Sequence, residues 1–115
     1  MTQTPGQRAE AAAAAYLTGK GLRLLVSNYR CRTGEIDLIL RDGEAVVFAE
    51  VRLRTHSAFG GAAESIDRRK QARIIAAARH FLTGKIEPAC RFDVLLLDSI
   101  DPPRIEWIRD AFSLA

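Results

Sequence analysis

The stretch GEIDLILRDGEAVVFAEVRL, residues 34–53, holds two apolar runs, 35–40 and 45–53, joined by Arg41-Asp42-Gly43-Glu44. Asp-Gly between apolar runs is a strong hairpin signal, because the favoured tight turns need residues that accept positive φ. Side chains alternate along a strand. Val46, Phe48, Glu50 and Arg52 therefore share one face of the second run, and Val47, Ala49, Val51 and Leu53 share the other. Both faces begin apolar, as in a strand covered on two sides. Two charges then interrupt one of them.

The first run breaks in the same way. Glu35, Asp37 and Ile39 point to one side, and Ile36, Leu38 and Leu40 to the other. With Asp42-Gly43 as the turn pair, Arg41 faces Glu44, Asp37 faces Phe48 and Glu35 faces Glu50; a longer or bulged turn shifts this by a residue or two. In that register Asp37 and Glu50 are diagonal neighbours, about 7–8 Å apart. Two such carboxylates repel unless a proton or cation lies between them, and an unpaired buried ion is unfavourable. A hard divalent ion, content with one or two carboxylates and water, resolves both problems. The plainer alternative is a pair of strand charges bridged to Arg52 or Arg54.

Working outward, residues 7–17 are strong helix formers preceded by Pro5-Gly6 and closed near Gly19 or Gly21. Residues 22–29 read as a strand. Residues 56–63, with Phe59-Gly60-Gly61, read as a loop. Ile66, Ile74, Ala78, Phe81 and Leu82 recur at helical spacing over 65–82, with Ser65 as N-cap and Gly84 as the stop. Residues 91–98 form another strand-like run. Pro102-Pro103 breaks it, and 105–108 can add an edge strand before a terminal turn. The order α-β-β-β-α-β predicts one α/β domain over residues 1–115, layered around a mixed central sheet.

Glu10 shares a helix face with Ala13, Ala14 and Leu17, so it is a candidate third acid at the sheet. On the second helix, Lys70 and Gln71 flank the apolar arc and point inward. Arg69, Arg73 and His80 lie on a neighbouring face that meets solvent or a phosphate backbone. Neither His56 nor His80 has a partner at metal-ligand spacing.

Composition sets bounds. A chain of 115 residues with 48% hydrophobic and 27% charged residues buries a core without help from disulfides. The formal net charge of +3 permits a nucleic-acid partner without demanding one. Cys31 and Cys90 lack CxxC or zinc spacing, which fits unbridged thiols in a reducing compartment. Residues 1–16 show no signal-peptide pattern, and the alanine run 11–15 is too short to cross a membrane. A soluble, cytoplasmic protein with no membrane or small-molecule cofactor is expected.

Gly6-x-x-x-Glu10, Gly34-Glu35-Ile36-Asp37-Leu38-Ile39, Phe48-Ala49-Glu50-Val51-Arg52, Phe59-Gly60 and Arg91-Phe92-Asp93-Val94 occur in one order. Together they resemble the YraN-like family of small bacterial proteins, over roughly residues 5–98. That family is similar to the restriction-endonuclease-like PD-(D/E)XK superfamily, including Holliday junction resolvases. The resemblance implies a restriction-endonuclease-like three-layer core and Mg²⁺ or Mn²⁺ as cofactor. Asp37 and Glu50 would ligate the metal, with the Val51 carbonyl as a further ligand and Glu10 in support. It also implies a DNA partner, with Arg54, Arg69 and Arg73 as candidate backbone contacts. Junction-type nucleases often act as dimers, which makes a homodimer one expectation, although no coiled-coil seam or strong apolar stripe marks it.

One position departs from the pattern. Lysine is usual two residues after the second acid, and this chain has Arg52. Arginine stays charged and cannot accept a proton, so Arg52 would orient phosphate, and Lys70 could supply the missing amine. Two functions follow: a metal-dependent endonuclease on DNA phosphodiester bonds, with some structure selectivity, or a catalytically impaired nucleic-acid-binding or protein-interaction module on the same fold. Arg52 favours the second; the three acids favour the first.

Overall fold

The computed structural model describes residues 2–54, 66–85 and 89–113. Helix α1 (Pro5–Gly19) leads into the antiparallel strands β1 (Arg23–Cys31), β2 (Gly34–Asp42) and β3 (Ala45–Leu53). Helix α2 (Arg68–Leu82) then returns the chain so that β4 (Cys90–Ile100) pairs parallel to β3, and β5 (Pro103–Phe112) closes antiparallel on β4. The sheet is mixed, in the order β1-β2-β3-β4-β5.

Both helices start earlier or later than composition suggests, for reasons of capping. Thr4 Oγ1 accepts from the Gln7 backbone N–H at 3.1 Å, and Gln7 Oε1 accepts from the Thr4 N–H at 2.9 Å. This reciprocal box extends α1 to Pro5, a residue suited to the first turn. Helix α2 is capped by Asp67, whose Oδ1 accepts from the Lys70 N–H at 2.8 Å; the expected cap, Ser65, lies outside the described residues, as does the loop 56–63 with His56, Phe59 and Gly60. Asp67→Ala is expected to destabilise the fold by about 1 kcal/mol in urea unfolding, the usual cost of a lost cap.

The two helices cover opposite faces. Ala9, Ala13 and Leu17 of α1 pack with Leu38, Leu40, Val47, Ala49, Leu95 and Leu97. Ile74, Ala77 and Ala78 of α2 pack with Ile36, Ile39, Val46, Phe48, Phe92, Val94 and Leu96. The three-layer α/β expectation therefore holds. The final strand does not stop at an edge fragment over 105–108: it runs to Phe112, where that ring stacks on Phe92 at 5.0 Å.

Two local expectations need correction. The β2–β3 turn residues are Gly43 and Glu44, with Asp42 opposite Ala45 and Leu38 opposite Ala49. Gly43 has φ +61, the conformation a hairpin turn asks of its first central residue. This register lies two residues from the one with Asp42-Gly43 at the turn. Secondly, Ile36 faces α2 together with Ile39, whereas Leu38 and Leu40 face α1. Strict alternation thus fails at Asp37. The neighbouring strand is irregular at the same level, where Asn28 adopts φ 55, a left-handed conformation that asparagine tolerates better than most residues.

Among the described residues no helix is long and apolar enough to cross a membrane. No disulfide joins Cys31 to Cys90.

Candidate functional site

Main-chain pairing between β2 and β3 ends at Leu38 and Ala49, and Asp37 and Glu50 are the next residue on each strand. Here a side chain replaces the ladder. Asp37 Oδ2 accepts from the Val51 N–H at 2.9 Å, which holds the carboxylate against β3 and beside Glu50. The expected diagonal pair is therefore brought together more directly than a turn at Asp42-Gly43 would allow.

Glu50 sits in the middle of the sheet, opposite Val94 of β4, and is 5% exposed. Its Oε2 lies 3.4 Å from Lys70 Nζ of α2 and 3.5 Å from Arg52 Nε. The Arg52 Nε is buried yet makes no hydrogen bond, so this is an ion pair without good donor geometry. Burial, the Asp37 charge and a hydrogen bond shared with Asp37 push the Glu50 carboxyl up to about 7, against the opposing pull of Lys70 and Arg52. Burial is the largest of these causes, so two neighbouring cations do not return the carboxyl to its ordinary range.

Glu10 approaches from the α1 side. Its carboxyl is raised from the ordinary range by burial first, then by the Asp37 charge, a hydrogen bond to Asp37 and the more distant Glu35, while a hydrogen bond with Asn28 opposes them. Asp37 thus interacts with Glu50 and with Glu10, and the three acids form a chain through the sheet where its two strands part. Glu10 opens on a polar groove lined by Gln7, Ser27 and Asn28. Val51 contributes its N–H to Asp37, and its side chain packs into the α1-side core. Among the described residues no three His, Cys, Asp or Glu side chains form a ready-made metal cage.

Lys70 reaches the centre as its helical position suggests. Gln71 does not point into the sheet; its side-chain amide donates to the Ile66 carbonyl at 2.9 Å and so ties off the start of α2. Arg69 and Arg73 are exposed. Arg54 is committed elsewhere: its Nε lies 2.7 Å from Asp98 Oδ1, and Glu106 stands 3.7 Å from the same guanidinium. Those partners make it a strut between β3, β4 and β5 rather than a free contact for phosphate. Asp93, part of the Arg91-Phe92-Asp93-Val94 motif, is fully buried and accepts from Arg91, from the Trp107 Nε1 at 2.9 Å and from the Asp110 N–H at 2.9 Å. It is a saturated structural node.

Asn28 is the residue that sequence reading misses. Nothing in a strand pattern marks an asparagine as the hydrogen-bond partner of a helical acid. Its tolerance of positive φ was the one available signal.

The model of Uncharacterised protein family UPF0102 matches residues 9–97, a span that contains Glu10, Asp37, Glu50, Arg52 and Lys70. The chain belongs to the UPF0102 family. This is the YraN-like family whose motifs the sequence resembles. The UPF0102 chain is 53% identical over 110 residues to a UPF0102 protein of Nitrosospira multiformis, covering 95% of this chain and 92% of that one. A UPF0102 protein of Methylobacillus flagellatus is 51% identical over 108 residues, 94% of this chain and 96% of the relative. A UPF0102 protein of Pseudomonas aeruginosa is 50% identical over 113 residues, covering 93% and 90%.

Proposed function

We propose that this UPF0102 protein is a metal-dependent endonuclease acting on DNA phosphodiester bonds, built on a restriction-endonuclease-like PD-(D/E)XK core. The observation that carries the reading is the meeting of half-buried Asp37 with buried Glu50, whose carboxyl burial and the Asp37 charge raise to about 7 despite Lys70 and Arg52. Such a pair holds either a proton or a cation. Its oxygens are hard donors, which suits Mg²⁺ or Mn²⁺. Asp37 and Glu50 would hold the ion, with the Val51 carbonyl and Glu10 in support. When bound, the metal supplies an activated water and charge neutralisation at the scissile phosphate.

The chain's own residues divide the remaining work. Arg52 orients a phosphate oxygen. Lys70, whose amine lies 3.4 Å from Glu50, is placed to handle the proton. Asp37 fixes the geometry through Val51, so the ligand oxygens are positioned before any substrate arrives.

A second reading has one observation in its favour: Arg52 occupies the position next to Glu50 where lysine is usual. On that reading the protein binds nucleic acid, or another protein, without cutting. The experiment that decides is a nuclease assay on linear, flapped and four-way DNA with Mg²⁺ or Mn²⁺ and with chelator. Divalent-dependent cleavage of at least one substrate is expected, and binding without cleavage of any would favour the module. Arg52→Lys belongs in the same assay. With Lys70 handling the proton, the substitution is expected to change the rate by less than about tenfold. A gain of about a hundredfold or more, the scale of a restored general base, would show that the arginine silences the site.

A further inference from the structure

Beside the acidic centre, where the β1–β2 turn meets α2, lies an open cleft of about 370 Å³. Arg30, Arg32, Thr33 and Glu35 line it from the turn, and Lys70 and Arg73 from the helix. Four cations face one carboxylate, and that carboxylate is already taken: Glu35 Oε2 lies 3.4 Å from Arg30 Nε. The chain's entire formal net charge is +3. The four cations and one acid of the cleft sum formally to +3, and with Arg30 paired to Glu35 and Lys70 to Glu50, the charge left over there is that of Arg32 and Arg73. Arg32 and Arg73 are exposed and have no carboxylate partner among the described residues.

The two walls meet through main chain. A Cβ added at Gly34 would stand 2.7 Å from the Arg73 carbonyl oxygen, so only glycine allows the turn to lie this close to the helix. Lys70 belongs to both places: it lines the cleft and lies 3.4 Å from Glu50. The basic surface is therefore continuous with the acid pair.

We infer that this cleft holds a nucleic-acid phosphate backbone, and that the strand it grips continues past Lys70 to the Asp37–Glu50 centre. Three guanidinium forks and an ammonium spaced along a groove suit successive phosphates. Anionic membranes would call for an apolar flank beside the charge, and the cleft is lined chiefly by polar side chains. The inference rests on the nuclease reading, since the strand bound here is the one presented for cleavage. It adds which face of the protein the strand crosses and names Arg30 and Arg32 as contacts.

The test separates the two claims. Affinity for short labelled single-stranded and duplex DNA is measured in chelator, without cutting, for the native chain, for R32E/R73E, for the milder R32Q/R73Q and for D37N. Native protein is expected to bind with a strong salt dependence. R32E/R73E should weaken binding at least about tenfold near 0.1 M salt and lower the slope of log affinity against log salt by about 2, as two lost phosphate contacts require. R32Q/R73Q should show the same slope change with unaltered thermal melting, and D37N should bind at least as well as the native chain. Cys31 also lines the cleft, so saturating DNA should slow its alkylation several-fold relative to Cys90. Native binding that survives the Arg32 and Arg73 substitutions, or leaves Cys31 unprotected, overturns the cleft assignment and spares the nuclease reading. No DNA binding by the native chain overturns both.

Discussion

Asp37→Ala should reduce divalent-dependent cleavage at least a hundredfold, since even partners one step removed from a metal commonly cost about 10–100-fold. The residue does two jobs, and two variants separate them. Alanine removes the charge proposed to ligate the metal and also leaves the Val51 N–H without its acceptor at 2.9 Å. An orphaned buried N–H costs about 1–3 kcal/mol, and this part-buried one belongs at the low end. Asparagine keeps an oxygen that can accept from Val51 while removing the charge. Both variants should lose cleavage, and both should lose the rise in melting temperature expected of the native chain with Mg²⁺ or Mn²⁺. Only the alanine variant should also unfold more easily in chelator. Cleavage that persists in Asp37→Asn would mean the ion is not held here.

The second large effect is a dependence of stability on pH. Glu50 has a carboxyl raised to about 7 in the folded protein, against an ordinary value of 4.5. Between those values the folded state holds a proton that the unfolded state has released, so stability must fall as pH rises through this window. Below it the group contributes no penalty; above it the penalty is complete. The upper bound is about 3–4 kcal/mol, from roughly 1.4 kcal/mol per unit of difference. In chelator, urea unfolding should therefore show the native chain less stable at pH 8 than at pH 5. Glu50→Gln removes the titrating group and should flatten that part of the profile, making the variant more stable than the native chain at pH 8. Saturating divalent ion should restore the native protein at pH 8 and leave Glu50→Gln unmoved. A native profile matching that of Glu50→Gln would mean Glu50 ionises as an ordinary surface acid, and the case for a cation would fail.

Much of the fold was legible because its signals are local. Asp42-Gly43 announced the hairpin, and apolar runs of strand length announced β1 to β4. The spacing of Ile74, Ala78 and Phe81 announced α2 and sent Lys70 inward. What was not legible depends on partners distant in the chain. The turn settled on Gly43-Glu44 because ladder and packing fix the register, and a dipeptide motif cannot distinguish two adjacent placements. The shift of two residues is even, so it preserved the face of each side chain and brought Asp37 closer to Glu50. Alternation places Ile36 on the wrong face because it assumes a regular strand, whereas β2 is irregular at Asp37. That same irregularity lets one carboxylate reach acids from both layers. Arg54 stands in the sequence as a candidate backbone contact or a bridge to the strand acids, and its actual partners, Asp98 and Glu106, sit more than forty residues away. The distinctive chemistry thus gathers where sequence periodicity fails, which is where a sheet has been opened.

The contact between Gly34 and the main chain at Arg73 has a mechanical consequence. At this point turn and helix meet backbone against backbone, so their main-chain spacing does not depend on rotamer choice. The two segments that carry the arginines are held together before any ligand arrives, which leaves only side chains for binding to order. Replacing an arginine on either segment alters the grip and leaves the spacing intact, whereas a single methyl group at Gly34 would act as a wedge.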